Sequence, residues 1–147
     1  MFPAVVRCVG YACPQMPDDL TRLADARALL DQGDVDAAIA AAEPLTRHTD
    51  SGVSGEAWLL IGTARYRGDD EAGALVAWRA ATERDGPVAW LGWRSMAEQL
   101  VREGDLEGAI TAYREADRRA PAQERGAIAN RIAWLLKETG HDFASRR

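Results

Sequence analysis

The chain has 147 residues, of which 47% are hydrophobic and 28% are charged, the composition of one folded domain. Its formal net charge is −5, which disfavours nonspecific binding to nucleic acid. No stretch approaches the ~18 consecutive apolar residues of a membrane-spanning helix, so no direct membrane insertion is predicted. The chain has two cysteines, Cys8 and Cys13, which are too few to stabilise a fold by disulfide bonds. This low number predicts a reducing compartment, most simply the cytoplasm.

Residues 1–17 differ in composition from the rest of the chain. They carry one charged residue, Arg7, and three prolines, and they lack the long apolar core of a signal peptide. Met16 is followed by Pro17 and Asp18 and resembles a natural start. We therefore expect residues 1–17 to form a poorly structured N-terminal extension, of which residues 1–15 add little to the fold.

Apolar residues recur at helical spacing from residue 18 onward. Asp18 or Asp19 can cap the first helix, and Pro44 should kink the second. Glycine and serine from Thr49 to Gly55 predict a loop. The whole pattern predicts seven helices and no strand, with boundaries near 18–32, 35–48, 55–67, 70–84, 88–103, 106–119 and 122–139.

Part of the pattern occurs twice. A shift of 35 residues superposes five positions of one copy on the other, namely Trp58 on Trp93, Gly62 on Ala97, Ala74 on Ala109, Trp78 on Tyr113 and Ala81 on Ala116. A shift of 36 residues relates a degenerate first copy to the second, and a further shift of 36 relates the third to a partial fourth. The alternative is an ordinary helical bundle, which would require the five positions to agree under one shift by chance.

This pattern resembles the tetratricopeptide repeat, whose signature is Trp-x2-Leu-Gly-x2-Tyr, then Ala-x3-Phe, then Pro, in about 34 residues. The resemblance implies an all-α fold, an α–α superhelix of about seven helices that forms a right-handed solenoid. The repeats would cover residues 19–52, 55–88 and 90–123, with a partial repeat at 126–147, in one domain that spans 18–147. The partial repeat stops within its second helix, which predicts either a capping helix or a fragment of a longer protein.

Each repeat would be a pair of antiparallel helices. Small residues such as Gly62 and Ala74 would let the two backbones approach to about 8 Å. Large residues such as Trp78 and Tyr113 would fill the space between one pair and the next. One pair cannot bury both of its apolar faces, so about three repeats are needed for stability.

No constellation in the sequence predicts catalysis. The two histidines, His48 and His141, lie in different repeats, and no catalytic triad, phosphate-binding glycine loop or zinc-protease motif is present. Most Asp and Glu residues are expected at helix caps and on solvated faces. We therefore predict no catalytic, cofactor-binding or metal-binding residue, and a protein that is not an enzyme.

The resemblance implies instead a concave groove, lined by the first helix of each repeat, that takes a peptide or protein segment. The groove positions carry ten candidate binding residues: Arg27, Leu59, Tyr66, Arg67, Arg94, Glu98, Arg102, Asn130, Trp134 and Lys137. Chaperone-tail binders of this family hold a terminal carboxylate with Lys and Asn, whereas this chain has Leu23 and Arg27 at those positions of its first repeat. A chaperone-tail role is therefore not predicted.

Three functions are open at the level of sequence. The leading one is a non-enzymatic adaptor or scaffold that binds an unidentified protein or peptide partner. Its arginines predict an acidic or C-terminal segment with an apolar anchor. The alternatives are a self-assembling, homo-oligomeric structural module and a regulatory repeat domain of a larger enzyme or membrane protein.

Overall fold

A computed structural model describes residues 18–140. Within that range it contains seven α-helices, one 3-10 helix and no strand, so the predicted all-α fold is confirmed. The α-helices are α1 (Asp19–Asp31), α2 (Val35–Ala42), α3 (Ser51–Arg67), α4 (Glu71–Glu83), α5 (Ala89–Glu103), α6 (Leu106–Arg119) and α7 (Ala122–Glu138). The 3-10 helix, Glu43–Arg47, follows α2 directly. The predicted N-terminal extension, residues 1–17, and the end of the predicted partial repeat, residues 141–147, lie outside the described residues.

The helices pack as consecutive pairs that stack on one another. The pairs are α1 with α2, α3 with α4, and α5 with α6, while α7 packs against α6. Successive pairs meet through contacts of α2 with α3 and of α4 with α5. In addition, α1 contacts α3 and α3 contacts α5, so these odd-numbered helices lie side by side along one face of an α–α superhelix.

Three turns of nearly identical geometry join the helices within each pair. The first residue has a positive φ of 85°, 64° and 85° at Gly33, Asp69 and Gly104, respectively. The next residue is an aspartate whose N–H donates to the carbonyl five residues earlier, which closes the preceding helix. The same aspartate accepts a hydrogen bond from the third N–H of the following helix, as Asp70 does from Gly73 at 2.9 Å. One short motif therefore ends one helix and begins the next.

The predicted loop between Thr49 and Gly55 is wrong from Ser51 onward, because α3 begins at that residue. The Asp50 carboxylate accepts the backbone N–H groups of Gly52 and Val53 at 2.8 and 3.1 Å and so starts the helix early. Gly55 is buried, and a Cβ there would lie 2.8 Å from Val88 Cγ2. The glycine that suggested a loop instead allows the start of α3 to approach the segment before α5.

The prediction that Pro44 kinks a continuous second helix is also wrong. The α-helix ends at Ala42, and Glu43–Arg47 continues as a 3-10 helix with Pro44 in its first turn. Proline has no N–H to donate to the carbonyl four residues back, so the α-helical ladder cannot pass through it. Leu45 and Thr46 remain buried in this tighter helix, which therefore still contributes to the core.

The interior of the described residues consists of three clusters of buried apolar side chains, in which alanine is frequent. Ala74 and Ala109 are both 0% exposed, as predicted. Trp78 packs with Ala74 and Met96 between the second and third helix pairs. At Gly62 the nearest atoms belong to the Trp78 indole, so the small residue makes room for that ring. None of the helices in residues 18–140 is long and apolar enough to cross a membrane.

Candidate functional site

A cavity of about 330 Å³ lies between the odd-numbered helices α1, α3 and α5, and we name it the α1–α3–α5 cavity. Its lining residues are Arg27, Leu30, Asp31, Glu56, Leu59, Leu60, Thr63, Arg67, Val88 and Leu91. A smaller hollow of about 240 Å³ shares Glu56 and Val88 with it and is otherwise lined mainly by apolar residues, among them Leu20. Leu20 is 70% exposed, so this end of the face offers apolar surface to a partner.

Charges in the α1–α3–α5 cavity balance one another. Two arginines and two carboxylates line it. Arg27 pairs with Glu56 at 3.3 Å, which links α1 to α3 across the cavity wall. Arg67 donates at 3.1 Å to the carbonyl of Leu30 in the last turn of α1, which also accepts the backbone N–H of Gly33. The arginine therefore joins two helix pairs as well as lining the cavity.

A second cavity, of about 350 Å³, lies between α5, α6 and α7, and we name it the α5–α7 cavity. Its lining residues are Arg94, Glu98, Val101, Arg102, Tyr113, Glu124, Ala127, Ile128 and Arg131. Three arginines against two glutamates leave a formal excess of one positive charge. This surface is therefore cationic in a protein whose net charge is −5.

Each arginine of the α5–α7 cavity lies over a different aromatic ring. The guanidinium carbon is 5.3 Å from the Trp90 ring centre for Arg94, 4.8 Å from Tyr66 for Arg102, and 4.7 Å from Trp134 for Arg131. Such cation–π contacts hold a guanidinium in place while its N–H edge stays available for hydrogen bonds.

Two neutral polar groups support these arginines. Gln99 is 1% exposed, and its Oε1 accepts a hydrogen bond from Arg102 at 3.1 Å. The Gln99 amide nitrogen donates to Glu71 at 3.0 Å and to Glu103 at 3.1 Å, which holds the amide in position. Tyr113 is 2% exposed; burial raises the pKa of its phenol, and the neighbouring Arg131 lowers it only in part.

The two cavities lie next to each other along α5. Leu91 lines the first and Arg94 lines the second, and residues three apart on a helix are neighbours on one face. The combined surface is apolar and charge-balanced near α1 and cationic near α7.

Six of the ten predicted groove residues line these cavities. Arg27, Leu59 and Arg67 line the α1–α3–α5 cavity. Arg94, Glu98 and Arg102 line the α5–α7 cavity. The other four line neither cavity. Tyr66 packs against Trp78 with ring centres 6.0 Å apart and lies under the guanidinium of Arg102. The remaining three are exposed residues of α7, namely Asn130, Trp134 and Lys137.

Sequence reasoning missed the α7 residues that do line the second cavity, above all Arg131. The shift of 36 residues makes Asn130 the equivalent of Arg94 in the next repeat and predicted it as a groove residue, whereas the lining residue is its neighbour Arg131. A signal was present in the sequence, because Glu124, Ala127, Ile128 and Arg131 recur at helical spacing. Tyr113 had been assigned to the core alone, whereas its ring is both buried and part of the cavity wall.

Outside these cavities, the described residues offer no metal site, since no three His, Cys, Asp or Glu side chains between 18 and 140 group around a common point. His48 instead bridges two segments, with Nε2 at 2.7 Å from an Asp19 carboxylate oxygen and Nδ1 accepting the Asp50 N–H at 2.9 Å. This histidine ties the start of α1 to the start of α3.

Comparison with known protein families agrees with the helix-pair architecture. The family model of the tetratricopeptide repeat matches residues 23–78 and again residues 72–124, which together span more than half of the chain. A comparison with curated proteins gave no match. Proteins built from this repeat generally mediate protein–protein interaction and are typically non-catalytic. The chain belongs to the tetratricopeptide repeat family.

Proposed function

We propose that this protein is a non-enzymatic adaptor that binds a peptide or protein segment along the face formed by α1, α3 and α5. The single observation that carries the proposal is the α1–α3–α5 cavity, an open surface of about 330 Å³ with apolar walls and balanced charges. Exposed Leu20 and the adjoining hollow extend this surface. An extended segment could bury apolar side chains there, while Arg27, Glu56 and Arg67 supply polar contacts at the edge.

The test begins with a peptide-array screen on the full chain, followed by titration of the best peptide. Thr63→Arg places a long side chain in the middle of the α1–α3–α5 cavity, which Thr63 lines. We expect this substitution to weaken binding by at least tenfold, because the arginine side chain would occupy the space that the bound segment needs.

The matched control is Thr111→Arg on α6. Both threonine hydroxyls donate to the carbonyl four residues earlier, Thr63 at 3.0 Å and Thr111 at 3.2 Å, so the two substitutions remove the same local bond. Thr111 is exposed and does not line the cavity. Equal affinity of the Thr63→Arg variant and the parent protein would exclude binding on this face.

A second candidate function is self-assembly through α7, favoured by one observation. Trp134 is 43% exposed and offers a large apolar ring on the surface of α7. Two copies could bury this ring against each other. Light scattering at several concentrations would show a mass that rises above the monomer and returns to it in Trp134→Glu. A constant monomer mass would exclude self-assembly.

A further inference from the structure

A third cavity, of about 260 Å³, lies between α2, the 3-10 helix, α3 and the end of α4, and we name it the α2–α4 cavity. Its charged lining residues are Glu43, Arg47, Arg65 and Arg84. Three positive charges against one negative charge leave a formal excess of two positive charges. This cavity is therefore strongly cationic in a protein whose net charge is −5.

The α2–α4 cavity is separate from the surface of the proposed adaptor function. From α3 it takes Trp58, Ile61 and Arg65, whereas the α1–α3–α5 cavity takes Leu59 and Thr63 among others. Successive residues of an α-helix are about 100° apart around its axis, so these two sets lie on opposite sides of α3. A ligand in the α2–α4 cavity would not compete for the odd-numbered helices, and the inference below stands independently of the proposed function.

The arginines of the α2–α4 cavity are not neutralised by neighbouring carboxylates. Within the part of the chain that the structure describes, Arg47, Arg65 and Arg84 form no ion pair. Glu43 lines the same cavity but is not paired with any of them. The cavity therefore keeps a positive charge that an anionic ligand could balance.

Backbone carbonyls hold two of these arginines and leave most of their N–H groups available. Arg84 donates from Nη2 to the carbonyl of Thr46 at 3.0 Å, which brings its guanidinium beside the chain next to Arg47. Arg65 donates from Nη1 to the carbonyl of Gly73 at 3.4 Å. Because a guanidinium carries several N–H donors in a planar fork that matches phosphate oxygens, one bond to a carbonyl does not exhaust it.

The equivalent position one repeat later has the carboxylate partners that this cavity lacks. A shift of 35 residues carries Arg84 to Arg119. Arg119 forms ion pairs with Glu115 and Asp85. The residue that corresponds to Glu115 is Ala80, so the same shift replaces that carboxylate by a methyl group. The two repeats share the arginine, and the sequence leaves only the earlier one without its counterion.

The charge and the size of the α2–α4 cavity indicate the group that it takes. A phosphate monoester carries about −1.5 to −2 at neutral pH and matches the excess of two positive charges, whereas a carboxylate would leave one of them unbalanced. A volume of about 260 Å³ is below the ~300–1,000 Å³ usual for small-molecule sites, so one side chain fits better than a whole cofactor. Nucleic acid and anionic membranes are extended polyanions, which the net charge of −5 would repel.

The cavity is open where its arginines lie and apolar next to them. Arg47 and Arg84 are both exposed, so a group carried by another protein can reach them from solvent. Ile39, Ile61 and Trp58 form the apolar part of the wall. A side chain with a phosphate at its tip and carbon atoms behind it fits this arrangement.

We propose that the α2–α4 cavity binds one phosphorylated serine or threonine side chain of a partner protein. Arg47 and Arg84 hold the phosphate through charge-assisted hydrogen bonds, and Arg65 adds positive charge from α3. Ile61 and Trp58 contact the carbon atoms of the phosphorylated side chain. The protein would therefore join this partner only after the partner has been phosphorylated.

Short blocked peptides test the proposal on the full chain. The probe is an alanine peptide with one phosphothreonine in its middle and both ends blocked, so the phosphate is its only charge. The comparisons are the same peptide without the phosphate, the same peptide with glutamate in place of phosphothreonine, and inorganic phosphate.

Binding is followed by NMR through the indole N–H signals of the tryptophans. Trp58 lines the cavity and its indole N–H has no acceptor within the described residues, so its signal reports on a ligand there. Trp93 is its equivalent in the next repeat, lies outside the cavity and is the internal control. We expect the phosphopeptide to shift the Trp58 signal in a saturable way and the Trp93 signal little.

The unphosphorylated and glutamate peptides should bind at least tenfold more weakly than the phosphopeptide, because they lack the second negative charge. Inorganic phosphate should also bind more weakly, since it makes no contact with the apolar wall. The proposal is overturned if the phosphopeptide does not shift the Trp58 signal, or if either comparison peptide binds as tightly. It is also overturned if inorganic phosphate binds as tightly as the phosphopeptide, which would mean an adventitious ion only.

Variants test the charges of the cavity in both directions. Arg84→Gln should weaken binding of the phosphopeptide at least tenfold, because a charge-assisted, two-pronged hydrogen bond is lost. Glu43→Gln removes the carboxylate of the lining and should tighten binding at least twofold. Arg119→Gln removes the equivalent charge one repeat later, outside the cavity, and should change the affinity less than twofold.

Equal weakening by Arg84→Gln and Arg119→Gln would reduce the effect to net charge and overturn the proposal, and so would weaker binding in Glu43→Gln. Urea unfolding of each variant shows whether it is folded. The peptide comparison on the unchanged protein remains decisive even if Arg84→Gln folds poorly.

Discussion

Two glycines inside helices illustrate how neighbouring atoms decide the effect of a single residue. A Cβ at Gly62 would overlap the indole of Trp78, a side chain that is 5% exposed and has no room to move away. A Cβ at Gly126, in α7, would meet no atom within 4 Å. The two glycines share helical backbone geometry, so they differ in surroundings alone.

Gly62→Ala should therefore destabilise the protein by about 1–3 kcal/mol through overpacking. Gly126→Ala should stabilise it by about 0.5–1 kcal/mol, because alanine loses less backbone entropy than glycine on entering a helix. Urea unfolding of both variants measures the two free energies. Changes of the same sign would contradict the tight contact between Gly62 and Trp78.

Tyr113 should show a pH effect at the alkaline end. Burial raises the pKa of its phenol, and the neighbouring Arg131 guanidinium only partly offsets this. The folded pKa then lies above the unfolded value of about 10, so the associated stability is fully present below pH ~10 and is lost as the pH rises through the folded pKa. We expect Tyr113 to ionise above pH ~10 in the folded protein.

Absorbance of tyrosinate during an alkaline titration gives the measurement. Tyr113→Phe should abolish the ionisation step at the highest pH and leave the earlier steps in place. If that step persists in Tyr113→Phe, it belongs to another tyrosine and the assignment fails.

At the scale of elements, a comparison of the three turns within the helix pairs predicts whether glycine or aspartate gives the more stable turn at the left-handed position. Gly33 and Gly104 occupy the left-handed position of the first and third turns, whereas the second turn has Asp69 there, with φ 64°. An L-residue with a side chain is strained in this region, and aspartate is strained less than most.

Asp69→Gly should stabilise the protein by about 0.5–1.5 kcal/mol through relief of this strain. The reciprocal change, Gly104→Asp, should destabilise it by a similar amount, since a Cβ at Gly104 meets no neighbour and backbone strain is the main new term. Thermal and urea unfolding of both variants provide the test. Loss of stability in Asp69→Gly would mean that the Asp69 side chain makes a stabilising contact of its own.

At the scale of the whole molecule, the buried core of residues 18–140 runs from Leu23 in α1 to Leu135 in α7, and each of the seven α-helices contributes at least two of its members. A chain that begins at Met16 should therefore melt within a few degrees of the full chain. A much larger loss, measured by calorimetry, would assign residues 1–15 a stabilising role and contradict our expectation from the sequence.

Sequence alone determined the helices, their pairing and the family, because those features depend on local rules. Helical spacing, aspartate caps and a repeat near 35 residues all act between residues close in the chain. The errors arose where two local signals compete. The Asp50 cap starts α3 at Ser51 despite the glycines that follow, and Pro44 ends the α-helix while the chain continues as a 3-10 helix with Leu45 buried.

Only the tertiary structure decided which arginines share a cavity. Repeat equivalence to Arg94 predicted Asn130 as the groove residue of α7, but Arg131 and Ile128 of that helix line the cavity with α5 instead. A rotation of one residue about a helix axis is about 100°, enough to exchange a lining side chain for an exposed one. That rotation is set by how the side chains of three helices interdigitate, an interaction between residues far apart in sequence that no local pattern encodes.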